Sequence, residues 1–171
     1  MVLLPTQSIL ACGQYWLFEA SPDITVQLKN LQPYLRSRPD HTPDGIFLSH
    51  AHIDHSGLIP KLVKEGYEGN IFCTPATKDL TTVLLEDSAE IQEDDIKYEN
   101  KRRSLLGLPY LKPLYTTEDA LIASDRFETV EYDVWHEIDE QISFCYTDTG
   151  HIIGSAAVHL RIKDKGETKT I

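Results

Sequence analysis

A cluster of polar, metal-competent side chains lies directly behind a short apolar run. The run GIFL ends at Leu48, and the stretch SHAHIDHS follows it. Four candidate ligands crowd into six positions there: His50, His52, Asp54 and His55. A short continuous apolar run is typical of a buried strand in a parallel sheet. Side chains of this kind at a strand end are satisfied by a metal centre, by solvent around a loop, or by a buried polar cluster.

The spacing of these side chains favours the metal centre. In an extended segment residues two apart point to the same side, so His50 and His52 can present two imidazoles to one ion. The chain must then turn, which places the adjacent Asp54 and His55 to bind a second ion. Imidazole and carboxylate ligands suit zinc, manganese or iron, and the cluster lacks the thiolates of a closed structural zinc site. The sequence therefore predicts an open, catalytic centre, in which Asp54 can also orient an attacking hydroxide.

A second segment supplies a further candidate ligand. In TDTGHIIGSAAVHL, His151 follows Gly150 directly after the strand-like QISFCYT. Glycine allows a tight turn, which can bring the imidazole towards another loop. Taken alone, His151 reads as an ordinary turn residue, but beside the first cluster it becomes the expected third ligand of the first ion. His159 lies in an alternating strand pattern and is expected on a sheet face, whereas His136 is expected in a solvated loop.

Strand-like and helix-like segments alternate along the chain before a run of strands, which predicts an α/β domain with mixed sheets. One helix is expected to begin at Ser21, with His41 at the surface after it, and another to follow the histidine cluster and end at Gly66. A long amphipathic helix is predicted from residue 76 to residue 104. Its apolar stripe is expected to contain Leu80, Leu84, Ile91 and Tyr98. A capping box at Thr116 begins the next helix, and a final hairpin turns at Lys165-Gly166.

Composition narrows the class of partner and the compartment. A net charge of −11 argues against a surface that holds nucleic acid by phosphate neutralisation alone. The acidic run 86–100 is expected to be a solvated helix face, balanced by Lys101-Arg102-Arg103, for which a phosphate contact is the alternative. Three cysteines without a short pairing motif fit a reducing compartment. No signal peptide and no apolar run of about 18 residues is visible. A cytoplasmic protein without a membrane segment is expected.

The motif HAHIDH, read as His-x-His-x-Asp-His behind an apolar strand, resembles the signature of the metallo-β-lactamase superfamily. That resemblance implies an αββα sandwich with a dinuclear metal site at one sheet edge. Over residues 44–170, LSHAHIDHSGLIPKLVKEGYEGNIFCTPAT, GLPYLKPLYTTEDA and DTGHIIGSAAV are similar to the β-CASP branch. This branch contains RNA-processing nucleases such as ribonuclease J and the cleavage and polyadenylation endonuclease.

The resemblance also implies a chemistry and a ligand set. It implies hydrolysis of RNA phosphodiester bonds by a metal-bound hydroxide and two zinc ions in the complete site, with manganese or iron possible. Carried over by position, the first zinc is bound by His50, His52 and His151. The second zinc is bound by Asp54 and His55, and Asp54 is the catalytic residue that helps to hold the hydroxide.

The opening of the chain departs from the β-CASP pattern. That branch carries an aspartate followed by Cys-Gly, where this chain has Glu19-Ala20-Ser21. The segment YWLFEASPDITVQL instead resembles the pyrroloquinoline quinone biosynthesis B protein. We therefore expect a partial metallo-β-lactamase domain with a divergent opening over residues 1–43 and a β-CASP-like body over residues 44–171, in a divergent or chimaeric protein.

The family's bridging aspartate, its last metal histidine and its β-CASP domain are expected beyond Ile171. Only the N-terminal part of the sandwich is then expected, with an exposed sheet edge through which copies could associate.

Three functions remain open on the sequence. The leading hypothesis is the amino-terminal part of a β-CASP-type ribonuclease, with the activity of this stretch by itself undecided. The first alternative is a hydrolase of a small phosphodiester, thioester or lactone, favoured by the opening segment and the acidic surface. The second is a non-catalytic fragment or engineered scaffold that binds at most one zinc.

Overall fold

The computed structural model describes residues 2–4, 8–20, 43–164 and 166–171. These residues form ten strands and four helices, and the strands lie in two sheets. The helix expected from Ser21 and the surface position expected for His41 lie outside the described residues.

The first sheet contains six strands in the order of the sequence. They are β1 (Val2–Leu4), β2 (Ser8–Ala11), β3 (Gln14–Phe18), β4 (Gly45–Phe47), β5 (Asn70–Cys73) and β6 (Phe127–Thr129). The first three strands pair antiparallel, and β3 to β6 pair parallel. The predicted buried strand GIF is confirmed as β4, which is fully buried between two parallel neighbours. Its apolar run suits that position because both of its faces are covered.

The second sheet contains four antiparallel strands in the order β10-β9-β8-β7. They are β7 (His136–Glu137), β8 (Ile142–Asp148), β9 (Ala156–Asp164) and β10 (Glu167–Thr170). The predicted final hairpin is confirmed by the pairing of β9 with β10, next to Gly166 at φ 83°. Every side chain of β10, an edge strand, is exposed.

The helices of the described part of the chain are α1 (Ile53–Ser56), α2 (Ile59–Lys64), α3 (Pro75–Leu105) and α4 (Thr117–Ser124). The Thr74 hydroxyl accepts a hydrogen bond from the Thr77 N–H at the start of α3, and Pro75 occupies the first turn, where proline is tolerated. The predicted capping box is confirmed, because Thr116 and Asp119 exchange side-chain and backbone hydrogen bonds at the start of α4. None of the helices in the described ranges is both long and apolar enough to cross a bilayer.

Aromatic side chains join the two sheets face to face. The ring of Phe47 on β4 lies 5.1 Å from Trp16 and 5.8 Å from Phe72 in its own sheet, and 5.1 Å from Phe144 of β8 in the other. The opposite face of the first sheet is covered by helices, with Leu85 of α3 fully buried there. A layer of helices, the six-stranded sheet and the four-stranded sheet therefore stack in that order.

Two expectations about side chains are wrong. The buried face of α3 consists of Thr77, Thr81, Leu85 and Ala89. The predicted stripe is instead half-buried at Leu84 and exposed at Leu80, Ile91 and Tyr98, because α3 turns the neighbouring face towards the sheet. His136 is half-buried rather than solvated, since it belongs to β7 and its ring stacks on Phe144 at 5.4 Å.

Candidate metal centre

The histidine cluster lies in the loop between β4 and α1. The Leu48 N–H donates to the carbonyl of Phe72 at 2.9 Å, so the chain stays in line with the sheet for one residue beyond β4. The loop then bends into α1, for which His52 is the residue before the first turn. The Ser56 hydroxyl donates to the carbonyls of Ala51 and His52, both at 3.1 Å. These contacts fix the backbone that carries the two leading histidines.

Three imidazoles converge at this point. One ring nitrogen each of His50, His52 and His151 lies within 4.8 Å of the others. The ring centroids are 4.8 to 5.1 Å apart, and the ring planes are nearly perpendicular to one another. His50 is buried and the other two are exposed, so the cluster opens to solvent on one side. Neutral imidazoles with converging nitrogens suit a zinc ion, which takes such ligands at about 2.0–2.1 Å and keeps an open position in catalytic sites.

The loop that carries His151 is held by one serine. The Ser155 hydroxyl oxygen accepts hydrogen bonds from the His151 N–H at 3.0 Å and the Ile152 N–H at 3.1 Å. The Thr149 hydroxyl donates to the same oxygen at 3.0 Å. At the start of β9, the Ala156 N–H donates to the carbonyl of Ser49 at 2.9 Å, which joins this loop to the first histidine loop.

A glycine brings the same loop against α3. The Gly154 carbonyl accepts hydrogen bonds from the hydroxyls of Thr74 at 2.7 Å and Thr77 at 2.8 Å. Gly154 has φ 83°, and a Cβ there would meet the Thr77 nitrogen at 2.6 Å. The position therefore requires glycine for its conformation and for the close approach.

Glu19 also belongs to the site, although its sequence context marked it only as a departure from the β-CASP motif. It follows β3, has φ 73°, and is only 7% exposed. One carboxylate oxygen, Oε1, accepts from the Ser49 N–H at 3.1 Å, and Oε2 lies 3.5 Å from Nδ1 of His55. Neither Oε2 nor that Nδ1 has a hydrogen-bond partner within the described part of the protein. Glu19, His50 and His55 form a second group with donor atoms within 4.8 Å of one another.

Asp54 lies outside both groups of converging donors. It is in the first turn of α1, and its side chain is 71% exposed. Its carboxylate oxygen Oδ2 lies 3.5 Å from Nε2 of His55, so the two residues expected to serve the second ion are in contact. The structure thus brings together His50, His52 and His151 in one group, places His55 against Glu19, and leaves Asp54 at the solvent side.

Burial shifts the titration of two groups in the site. Desolvation raises the pKa of Glu19 to about 7, with a smaller effect of Asp54 in the same direction, against the hydrogen bonds from Ser49. Desolvation, followed by the neighbouring imidazoles, lowers the pKa of His50 to about 4. His50 is therefore neutral at pH 7, as a ligand must be. Its Nδ1 and the Ser49 hydroxyl form a hydrogen bond of 2.7 Å, which orients the ring and makes Nε2 available to an ion.

Residues 15–101 match the β-lactamase superfamily domain. The chain belongs to the metallo-β-lactamase superfamily. It is 33% identical to transcription termination factor FttA of Methanosarcina mazei over 141 residues, which are 80% of this chain and 20% of that protein. It is 31% identical to a ribonuclease of Thermus thermophilus over 115 residues, which are 67% of this chain and 22% of that protein. These relatives confirm the resemblance to the β-CASP branch that the motifs indicated. This chain spans about a fifth of their length.

Solved structures confirm the fold. A subclass B3 metallo-β-lactamase with an active-site glutamic acid superposes with a TM-score of 0.58 at 14% identity, covering 96% of this chain and 53% of that one. Zinc-bound PqqB of Methylobacterium extorquens superposes with a TM-score of 0.52 at 18% identity, covering 95% of this chain and 46% of that one. The expected metallo-β-lactamase fold is thus present in part, since about half of each solved chain is covered.

Proposed function

We propose that this chain is the metal-binding part of a metal-dependent hydrolase that cleaves RNA phosphodiester bonds. The observation that carries the proposal is the convergence of His50, His52 and His151, with one ring nitrogen of each within 4.8 Å of the others. The similarity to a transcription termination factor and to a ribonuclease supports RNA as the substrate. Zinc is the proposed ion because three imidazoles with an open side are a frequent catalytic zinc set, and manganese or iron are the alternatives.

The burial and the contacts of each residue indicate its proposed role. His50 holds the ion from the buried side in a fixed orientation, and His52 and His151 bind it at the solvent face. When bound, zinc acts as a Lewis acid and lowers the pKa of a coordinated water. Asp54, exposed and next to the cluster, orients the attacking water towards the phosphodiester and accepts its proton. Glu19 is proposed to hold His55 for a second ion.

The two donor groups share His50, which limits what this stretch binds by itself. One ion can take three imidazoles, but a second would have only Glu19, His55 and the exposed Asp54. We therefore propose one firmly held zinc per chain for these residues. The sharing of His50 by the two groups also favours the second candidate function, a fragment that binds one zinc without catalysis.

Metal stoichiometry tests the site directly. Elemental mass spectrometry on the chain purified without chelator is expected to give about one zinc. His52→Ala should lose it, whereas His159→Ala, which removes a histidine of β9 that is hydrogen-bonded to Thr147 of β8, should retain it. Zinc retained in full by His52→Ala contradicts the assignment.

Cleavage is tested in a longer protein that contains these residues. Turnover of a labelled single-stranded RNA is compared with that of a small phosphodiester, and both activities should fall in His52→Ala. A preference for the small phosphodiester would support the alternative hydrolase. RNA cleavage that survives His52→Ala would sink the proposed function.

Three coarser proposals accompany the function. A cytoplasmic location is supported by Cys73 and Cys145, which are buried and form no disulfide. Association of copies through β10 is supported by its exposed edge, and a single monomeric species in sedimentation would contradict it. The division into an opening of residues 1–43 and a β-CASP-like body of residues 44–171 is supported by the motif content of the two parts.

A further inference from the structure

A groove with preformed walls lies at the far end of α3. The chain leaves the helix after Leu105 and folds back along it, where the side chain of Asn100 holds the returning segment. Its amide donates to the Leu111 carbonyl at 2.9 Å, and its oxygen accepts from the Leu111 N–H at 2.8 Å. Nε of Arg103 donates to the Pro109 carbonyl at 2.7 Å. The groove between the two segments has a volume of about 810 Å³.

The groove concentrates positive charge in an acidic chain. Residues 97–112 contain five lysines and arginines against one acid, Glu99, a local charge of +4, whereas the whole chain carries −11. Lys97, Lys101 and Lys112 line the groove. Lys97 pairs with Asp94 at 2.9 Å, but within the described residues no carboxylate pairs with Lys101 or Lys112. The expected charge balance with the acidic run 86–100 is therefore incomplete, and two cations face solvent at one place.

Apolar and aromatic surface lies beside these cations. Tyr110 and Leu105 line the groove and are 68% and 88% exposed, and Tyr98 on the preceding turn of α3 is 75% exposed. Exposed aromatic faces next to cations are the features with which proteins hold single-stranded nucleic acid, because phosphates pair with the cations while bases stack on the rings. An apolar protein segment would use the leucines and tyrosines but would leave the lysines without partners.

The groove is separate from the metal centre. Ile53, the first residue of α1, lines another cavity together with Leu84 and Ile91 of α3. Lys101 lies ten residues beyond Ile91, which corresponds to about 15 Å along a helix that rises 1.5 Å per residue. A single strand that runs along α3 can therefore occupy both places.

We propose that this groove binds single-stranded RNA, through phosphates at Lys101 and Lys112 and a base at Tyr110, as a site that retains the substrate beside the metal centre. RNA as the ligand rests on the proposed function, but binding at the groove requires neither metal nor cleavage.

Binding of a fluorescent 20-nucleotide single-stranded RNA to the metal-free chain tests the proposal. Reversing both charges in Lys101→Glu/Lys112→Glu is expected to weaken binding at least tenfold and to reduce the slope of log affinity against log salt by about 1.4, since each neutralised phosphate contributes about 0.7. Tyr110→Ala should weaken it about fivefold or more through lost stacking. The matched control is Lys163→Glu/Lys169→Glu, which makes the same charge change at exposed lysines of β9 and β10 and should change affinity less than threefold.

Each outcome has a meaning. Equal losses in the groove variant and the control, or no binding by the wild type, would overturn the proposal. Loss of self-association in sedimentation with RNA affinity retained would show that the groove docks protein instead. Groove-dependent RNA binding in a longer protein that cleaves no RNA would refute the proposed function and leave this inference standing. Circular dichroism and metal content serve as controls that the groove variant is folded and still binds zinc.

Discussion

The buried carboxylate of Glu19 leads to a quantitative prediction of how the stability of the metal-free protein depends on pH. The perturbation is Glu19→Gln, which keeps the size of the side chain and the oxygen that accepts from the Ser49 N–H at 3.1 Å. What changes is that the side chain no longer ionises. In the wild type, burial raises the pKa of Glu19 from 4.5 to about 7, so ionisation of this group opposes folding.

The sign and the size of the change in stability follow from the linkage between proton binding and folding. Between pH 4.5 and pH 7 the folded state binds more protons at Glu19 than the unfolded state does, so this group lowers the free energy of unfolding as pH rises. A shift from 4.5 to about 7 corresponds to about 3 kcal/mol. His50 acts in the opposite direction, because its pKa is lowered from 6.5 to about 4 and the unfolded state therefore binds more protons over that window. The two effects largely cancel in the wild type.

The assay is urea unfolding of chelator-treated protein at intervals from pH 4.5 to pH 8. Near pH 4.5 the wild type and Glu19→Gln should be about equally stable, and by pH 8 the variant should be more stable by up to about 3 kcal/mol. Glu131→Gln, at an exposed carboxylate, is the matched control and should follow the wild type. A stability difference between Glu19→Gln and the wild type that does not change with pH would refute the reasoning.

Three further changes test the fold and the loop of the site. Phe47→Ala should lower the free energy of unfolding by about 3–5 kcal/mol, since it removes the ring that joins the sheets, and a loss below about 1 kcal/mol in urea unfolding would be inconsistent with that role. Tyr146→Phe should cost about 1–2 kcal/mol, because its buried hydroxyl donates to the Phe72 carbonyl at 2.7 Å; an unchanged midpoint would show that the bond contributes nothing. Gly154→Ala should weaken zinc binding in calorimetry by displacing the His151 loop from Thr77, and unaltered affinity would contradict this.

The sequence predicted the parts of the site that local geometry controls. The alternation of an extended segment places His50 and His52 on one side, and the glycine before His151 permits the turn that carries it to them. The structure has these three side chains in one group, although their role as ligands stays a prediction. The buried strand, the capping box and the final hairpin also depend on short-range chemistry, and all three are confirmed.

The parts that were missed depend on contacts between distant segments. Glu19 lies 30 positions before Ser49, and it reaches the site only because β3 and β4 pair in parallel with Phe18 opposite Phe47. The carboxyl ends of parallel neighbours meet at one sheet edge, so this register could have indicated Glu19 once the pairing was assumed. The predicted burial of the stripe on α3 was wrong for a related reason. Helical periodicity shows that residues share a face, but only the position of the sheet decides which face is covered.

Glu19 also shows why the site must be judged separately for stability and for binding. A non-glycine residue at φ 73° and a buried carboxylate both cost free energy in the metal-free protein, and the fold tolerates them. The geometry gives the reason: the Glu19 N–H donates to the Phe47 carbonyl at 3.1 Å while the side chain turns to the Ser49 N–H and His55. If that carboxylate serves the metal centre, the change to glutamine that stabilises the metal-free protein must also weaken zinc binding. A variant that gains stability at pH 8 and binds zinc as tightly as the wild type would show that Glu19 only supports the loop.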